Sequence, residues 1–181
     1  MIRTEDLEKL AILAEVVDRL KERDSWVGRT HLQKAALFLQ DLLDVPLDYK
    51  FVLYYYGPYS ARLDDDIQMM RMLNIVDIEP MGEYGPRYKA GTTSLTEYRS
   101  SVATYGKQIA AIADFFGSKT AAEVELLATV FYVMHTEGQF GSELFGRVQR
   151  LKPRFSPAEI EQAIGAVSQF VDVSAPKELP F

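Results

Sequence analysis

The sequence predicts a mainly α protein with a small β component. Three segments lead to this prediction: a helical pattern over residues 28–40, an aromatic strand that stops at Gly57-Pro58, and a turn-rich hairpin over residues 75–89. From residue 94 onward every periodic pattern is helical. With a first helix near the N-terminus, the order of helix, helix, strand, helix and hairpin indicates a winged-helix-like N-terminal half, followed by a helical C-terminal half.

The composition permits a sizeable core and limits the kinds of site. Of the 181 residues, 48% are hydrophobic and none is cysteine, so disulfides and thiolate metal sites are excluded. We find no charged-then-apolar leader and no apolar run of about 18 residues, so we expect no membrane association and a cytoplasmic location. The net charge is −6 and the pI is about 5.0, so a nucleic-acid site would have to be a local basic cluster.

We assign residues 1–92 to the winged-helix-like domain. Its first helix is expected to start after Thr4, because apolar residues recur from there at steps of three and four. Thr30 is the expected N-cap of the second helix, since its hydroxyl can accept a free backbone N–H.

The second part of this domain is predicted to be a strand, a helix and a wing. Aromatic residues and Val favour a strand over residues 49–56 that ends at Gly57. Pro58 is expected in the first turn of the following helix. Two short strands then form the wing, with residues 81–86 at its tip.

Residues 93–181 form the predicted helical domain. Three pairs of residues fit the capping box, in which two side chains satisfy free backbone donors at a helix start. These pairs are Ser94 with Glu97, Thr120 with Glu123, and Ser156 with Glu159. They predict helix starts near residues 95, 121 and 157, and the predicted helices cover residues 95–116, 121–136, 142–151 and 157–171.

The helix over residues 95–116 has the most regular apolar pattern in the chain. Its apolar steps alternate between three and four, which is typical of a seam that packs lengthwise along another helix. We predict a homodimer through this helix, and packing within one chain remains the alternative. The seam residues are Leu95, Tyr98, Val102, Tyr105, Ile109, Ile112 and Phe116.

Two short motifs are similar to those of a known family. Leu32-Gln33-Lys34 lies on the second predicted helix, and Gly57-Pro58 follows the strand. In these residues the chain resembles the Panacea (SocA-like antitoxin) domains and their winged-helix-like bacterial and archaeal relatives, over roughly residues 28–76. The resemblance implies a small non-enzymatic domain that binds another macromolecule, often as an antitoxin or adaptor.

Five tyrosines near the predicted strand indicate a protein-binding surface. We expect Tyr55 to point inward, whereas Tyr54 and Tyr56 would project from the open face and form an aromatic patch of the kind that interfaces favour. The alternative is that the C-terminal helices cover this strand. The predicted partner-binding residues are Lys34, Tyr54, Tyr56, Tyr59 and Arg62.

A DNA-binding regulator is the alternative function. Four cations between residues 147 and 154 form a basic island without an acid among them, and the wing adds two more. Cations near a helix C-terminus also stabilise the helix dipole without any ligand. The candidate phosphate contacts are Arg87, Lys89, Arg147, Arg150, Lys152 and Arg154.

The remaining polar motifs do not indicate catalysis or metal binding. We interpret Asp64-Asp65-Asp66 as solvated residues in the first turns of a helix, where they would repel phosphates. His31 and His135 are far apart in sequence, and we expect His31 to be exposed. We therefore predict a non-enzymatic protein without a metal or cofactor.

Overall fold

The computed structural model describes residues 3–79 and 86–174. These residues form eight α-helices and two antiparallel two-stranded sheets, which confirms the mainly α fold with a small β component. The helices are α1 (Thr4–Lys21), α2 (Arg29–Asp41), α3 (Ala61–Met72), α4 (Arg99–Thr104), α5 (Gly106–Phe116), α6 (Ala121–His135), α7 (Gly141–Leu151) and α8 (Pro157–Ser174). The strands are β1 (Val52–Tyr54), β2 (Gly57–Tyr59), β3 (Val76–Glu79) and β4 (Arg87–Ala90). In this part of the chain, no helix is both long enough and apolar enough to cross a membrane.

Helix α2 is enclosed on all sides by the rest of the chain. Every residue from 31 to 39 is buried, so this helix has no solvated face in its middle turns. The Phe38 ring stacks on Phe131 of α6 with centroids 4.4 Å apart, and meets Phe116 of α5 edge-on at 5.8 Å. The two predicted domains therefore share one hydrophobic core.

The first hairpin differs from the predicted strand. The chain reverses at Tyr55 and Tyr56, and β1 pairs with β2 in the register Tyr54↔Gly57. Pro58 lies in β2 rather than in a helix, where its missing N–H is tolerated on a strand with one neighbour. The predicted strand over residues 49–56 was thus too long, and the predicted helical position of Pro58 was wrong.

The helix starts in this half also differ from prediction. Ser60 is the N-cap of α3, and its hydroxyl accepts the Leu63 N–H at 3.4 Å. Gly28, and not Thr30, is the N-cap of α2. Because Gly28 has no side chain, the first backbone N–H groups of α2 receive no side-chain hydrogen bond from their N-cap residue.

The two strands predicted for the wing are present as β3 and β4, which pair in the register Val76↔Ala90. The predicted tip, residues 81–86, lies outside the described residues except for Pro86. Among the described strands, β1 pairs with β2 and not with the wing, so the winged-helix arrangement itself stays a prediction.

The single helix predicted over residues 95–116 was wrong. A 3-10 turn (Thr96–Tyr98) precedes α4, and the helix breaks at Tyr105, where φ is −105° and ψ is 12°. Tyr98 rather than Ser94 is the N-cap of α4, so the first predicted capping box was also wrong. The capping boxes at Thr120 and Ser156 are confirmed, and α6, α7 and α8 begin within one residue of the predicted positions.

The seam packs inside the chain. Ile109, Ile112 and Phe116 of α5 have no exposed surface and belong to the common core, where α5 contacts α1 and α2. Val102 and Tyr105 are half-buried against the same core. Ile109, Ile112 and Phe116 are therefore not available for a dimer contact, and the homodimer itself stays a prediction.

Candidate partner-binding site

Three consecutive tyrosines form the exposed tip of the first hairpin. Tyr54, Tyr55 and Tyr56 are 62%, 82% and 67% exposed. Tyr55 does not point inward as predicted, because it lies in the turn, where the side-chain alternation of a strand no longer applies. The Tyr54 ring contacts the Tyr55 ring edge-on at 4.9 Å and lies 5.8 Å from the Tyr59 ring on β2. The C-terminal helices therefore do not cover this surface.

A pocket of about 340 Å³ lies between this hairpin and the start of α2. We call it the tyrosine pocket, and it is lined by Arg29, Thr30, Gln33, Lys34, Tyr54, Tyr56, Gly57 and Tyr59. The structure thus brings together four of the five predicted partner-binding residues, namely Lys34, Tyr54, Tyr56 and Tyr59.

Lys34 lies at the base of this pocket. Charged side chains usually lie on the open surface of a protein, and this one does not. The residue is 2% exposed, and its Nζ donates a hydrogen bond to the Pro58 carbonyl oxygen at 2.7 Å. Burial lowers the pKa of Lys34 to about 8, although the nearby Glu125 carboxylate opposes this shift.

Gln33 joins α2 to the end of the same hairpin. Its Nε2 donates to the Ser60 carbonyl oxygen at 2.9 Å, and its Oε1 accepts the Ser60 N–H at 2.9 Å. The Lys34–Pro58 hydrogen bond beside it brings the two motifs that carry the family resemblance, Gln33-Lys34 and Gly57-Pro58, into contact. Together they determine the position of the tyrosine-bearing hairpin relative to α2.

A group of charges, buried except for the 53% exposed side chain of Arg154, holds the other side of the hairpin. Lys152 Nζ donates to the Tyr55 carbonyl oxygen at 2.9 Å and to Glu125 Oε1 at 2.6 Å, and Arg154 Nη2 donates to Glu125 Oε2 at 2.8 Å. Glu125 and Lys152 are 4% and 5% exposed. We call Lys34, Glu125, Lys152 and Arg154 the hairpin charge cluster. Sequence reasoning missed Glu125, although an acid flanked on both sides by apolar residues, Val124 and Leu126, is a signal that could have identified it.

Most cations of the predicted basic island bind carboxylates of the same chain. Lys152 and Arg154 belong to the hairpin charge cluster, and Arg147 makes two hydrogen bonds to Glu137, at 2.9 and 3.0 Å. Arg150 is exposed and has no ion pair among the described residues. The island is therefore not the open row of cations that the sequence indicated.

The two cations of the wing also have partners. The Arg87 guanidinium lies 5.7 Å from the centre of the Trp26 ring and reaches the Ser25 carbonyl oxygen at 3.5 Å. Lys89 pairs with Asp77 across the wing at 3.6 Å. Neither residue lines the tyrosine pocket.

The three aspartates of α3 have different environments. Asp64 pairs with Arg29 at the mouth of the tyrosine pocket, and Asp65 is exposed. Asp66 is buried, where its Oδ2 accepts the Tyr49 hydroxyl at 2.8 Å. The solvated interpretation was therefore wrong for Asp66.

Arg62 lies outside the tyrosine pocket, unlike the other predicted partner-binding residues. Its guanidinium pairs with Asp66 at 3.3 Å and with Asp6 of α1 at 3.5 Å. It joins α3 to α1 across the surface of the protein.

His31 is fully buried, so the prediction that it is exposed was wrong. Its Nε2 lies 3.0 Å from the Lys119 carbonyl oxygen, and burial lowers the pKa of the imidazole. The contact joins α2 to the segment before α6.

No protein-family model matches this sequence, and no curated protein matches it significantly. The resemblance to the Panacea domains therefore rests on its quoted motif residues alone.

Proposed function

We propose that this protein is a non-enzymatic interaction module that binds a protein partner through the tyrosine pocket and the hairpin tip beside it. The observation that supports this proposal is the exposure of Tyr54, Tyr55 and Tyr56 on one short hairpin. Tyrosine is enriched at the energetic centres of protein interfaces, because it offers a large apolar ring and one polar group with little side-chain entropy to lose.

The way in which the hairpin is held supports the same function. Buried lysines donate to its backbone at the Tyr55 and Pro58 carbonyls, and Gln33 holds the adjacent Ser60 backbone. A surface that is ordered before binding loses less conformational entropy when a partner docks. An exposed aromatic cluster on a rigid support is thus suited to recognition rather than to general solubility.

The alternative of a DNA-binding regulator stays a prediction. We expect fluorescence anisotropy with a labelled random duplex to detect no strongly salt-dependent binding, since most of the candidate cations already have acidic partners. Affinity that falls steeply between low and physiological salt would favour the regulator instead. The antitoxin-like role and the cytoplasmic location likewise stay predictions from the sequence.

The double variant Tyr54→Ala/Tyr56→Ala is expected to reduce partner recovery at least tenfold without unfolding the protein. Both side chains are exposed, so their loss removes contact area for a partner but little of the folded core. The measurement is affinity capture from lysate of the source organism, followed by titration of each purified candidate partner with both forms of the protein.

Phe140→Ala is the matched control, because Phe140 is 64% exposed at the start of α7 and does not line the tyrosine pocket. Its partner recovery should equal that of the wild-type protein. Equal recovery by the double tyrosine variant would contradict the proposed function.

A further inference from the structure

The base of the tyrosine pocket carries a cation with unused hydrogen-bonding capacity. A lysine ammonium has three N–H donors. Within the described part of the chain, the Lys34 ammonium makes one hydrogen bond, which it donates to the Pro58 carbonyl oxygen. Lys34 is nevertheless almost completely buried, and it lines the pocket. A buried cation in this situation favours an acceptor that enters the pocket from outside.

The carboxylates nearest to Lys34 are already occupied. Glu125 accepts hydrogen bonds from both Lys152 and Arg154, so the hairpin charge cluster contains three cations and a single carboxylate. At the pocket mouth, Asp64 is paired with Arg29. The region around the pocket therefore has an excess of positive charge, in a chain whose net charge is −6.

The start of α2 adds to this excess. Arg29 and Thr30, the first two residues of α2, line the pocket. No side chain among the described residues caps this helix start, and its first turn contains no acid. The free N–H groups and the dipole of a helix N-terminus attract an anion, and here the buried Lys34 is a second and independent attraction at the same place.

We propose that the tyrosine pocket binds a carboxylate of the protein partner, with Lys34 as the charged donor at its base. The rings of Tyr54, Tyr56 and Tyr59 would pack against the carbon atoms next to that carboxylate. Hydrogen bonds from an ammonium to a carboxylate are shorter and stronger than those between neutral groups. This inference rests on the proposed function, and it specifies the chemistry by which the same pocket recognises its partner.

Three small probes test the inference on the full chain with ¹³C-labelled lysine. N-acetylglutamic acid α-amide carries a side-chain carboxylate, N-acetylglutamine carries a terminal carboxylate, and N-acetylglutamine amide is neutral. We expect at least one carboxylate probe to shift the Lys34 ε-methylene NMR signal saturably and to raise the pKa of Lys34 above its value of about 8. The carboxylate probe that binds more tightly identifies the source as a side chain or a chain end. No saturable shift with either probe, or an equal shift with the neutral one, would overturn the proposal.

Lys34→Gln keeps a donor for the Pro58 carbonyl oxygen but removes the charge. By isothermal titration calorimetry, which does not need the Lys34 signal, we expect this variant to bind the carboxylate probe at least tenfold more weakly, whereas Lys89→Met should bind it as the wild-type protein does. The missing signal in Lys34→Gln also assigns the Lys34 resonance. Unchanged affinity in a folded Lys34→Gln variant would contradict the role of Lys34.

Affinity for the carboxylate probe should fall as pH rises through about 8, because Lys34 then loses its proton. The other titratable groups that face this site are Glu125 and Lys152 behind Lys34, and Arg29, Asp64 and the pocket tyrosines at its mouth. Affinity that is constant from pH 7 to pH 9.5 would contradict the inference. If the carboxylate probes fail while the tyrosine double variant still loses its partner, the proposed function stands and this inference alone is wrong.

Discussion

The Glu125→Gln variant is expected to have a free energy of unfolding about 3–5 kcal/mol lower than the wild-type protein, which is the usual consequence of removing one partner from a buried ion pair. Glutamine preserves the shape of the side chain but leaves the buried Lys152 ammonium and the Arg154 guanidinium without a counter-charge. Urea denaturation followed by far-UV circular dichroism measures the difference at pH 7. We also expect weaker partner binding, because Lys152 then holds the Tyr55 carbonyl less firmly.

Glu137→Gln is the matched control for this experiment. Glu137 pairs with Arg147 through two hydrogen bonds of 2.9 and 3.0 Å, but both side chains reach solvent. The loss should be at most about 1 kcal/mol, as for other surface ion pairs.

Adding Lys152→Met to Glu125→Gln should recover part of the lost stability, because the unpaired buried cation is removed. A loss below about 1 kcal/mol for Glu125→Gln would mean that water reaches Lys152 when it is unpaired.

The features predicted correctly from the sequence depend on residues that are close together in the chain. The capping boxes at Thr120 and Ser156 involve residues three positions apart, and both are present. The pairing of β3 with β4 follows from two short strands around a turn-rich segment. Such signals need no knowledge of how distant segments pack.

The hairpin charge cluster could not be predicted in this way. Lys152 and Glu125 are 27 residues apart, and Lys152 reaches a backbone carbonyl 97 residues away. Charged side chains are usually exposed, so the sequence predicts surface contacts for both Lys34 and Lys152. Lys34 is buried because α2 lies at the centre of the core, and Lys152 is buried because it packs against Glu125 of α6 and the first hairpin.

The tyrosine surface was predicted for a partly incorrect reason. The residues Tyr54 and Tyr56 are exposed as expected, but they lie at a turn and not on the open face of a long strand. The turn was missed because its two central residues are both tyrosine, whereas the usual two-residue hairpin turns contain glycine or asparagine. Here the glycine follows the turn, at Gly57.

The Gly57→Ala variant is expected to lose about 2–4 kcal/mol of stability, since a non-glycine residue at positive φ is strained and its added methyl group has no space. Gly57 has a φ of +81°. A Cβ atom there would lie 2.9 Å from Thr129 Oγ1 and 3.5 Å from the Glu125 backbone oxygen. Thr129 cannot easily move away, because it is fully buried and its hydroxyl donates to the Glu125 carbonyl oxygen at 2.8 Å. Urea denaturation measures the loss, and partner binding should weaken with it.

Gly138→Ala separates the two causes of this loss. Gly138 also has a positive φ, of +65°, but an added Cβ would meet no atom within 4 Å. It should therefore show only the backbone strain, about 1 kcal/mol. Adding Thr129→Ala to Gly57→Ala should recover part of the difference, since the closest contact atom is removed. Equal losses for Gly57→Ala and Gly138→Ala would mean that the hairpin can move away from α6. A hairpin that moves so easily would not be the rigid support on which the proposed function depends.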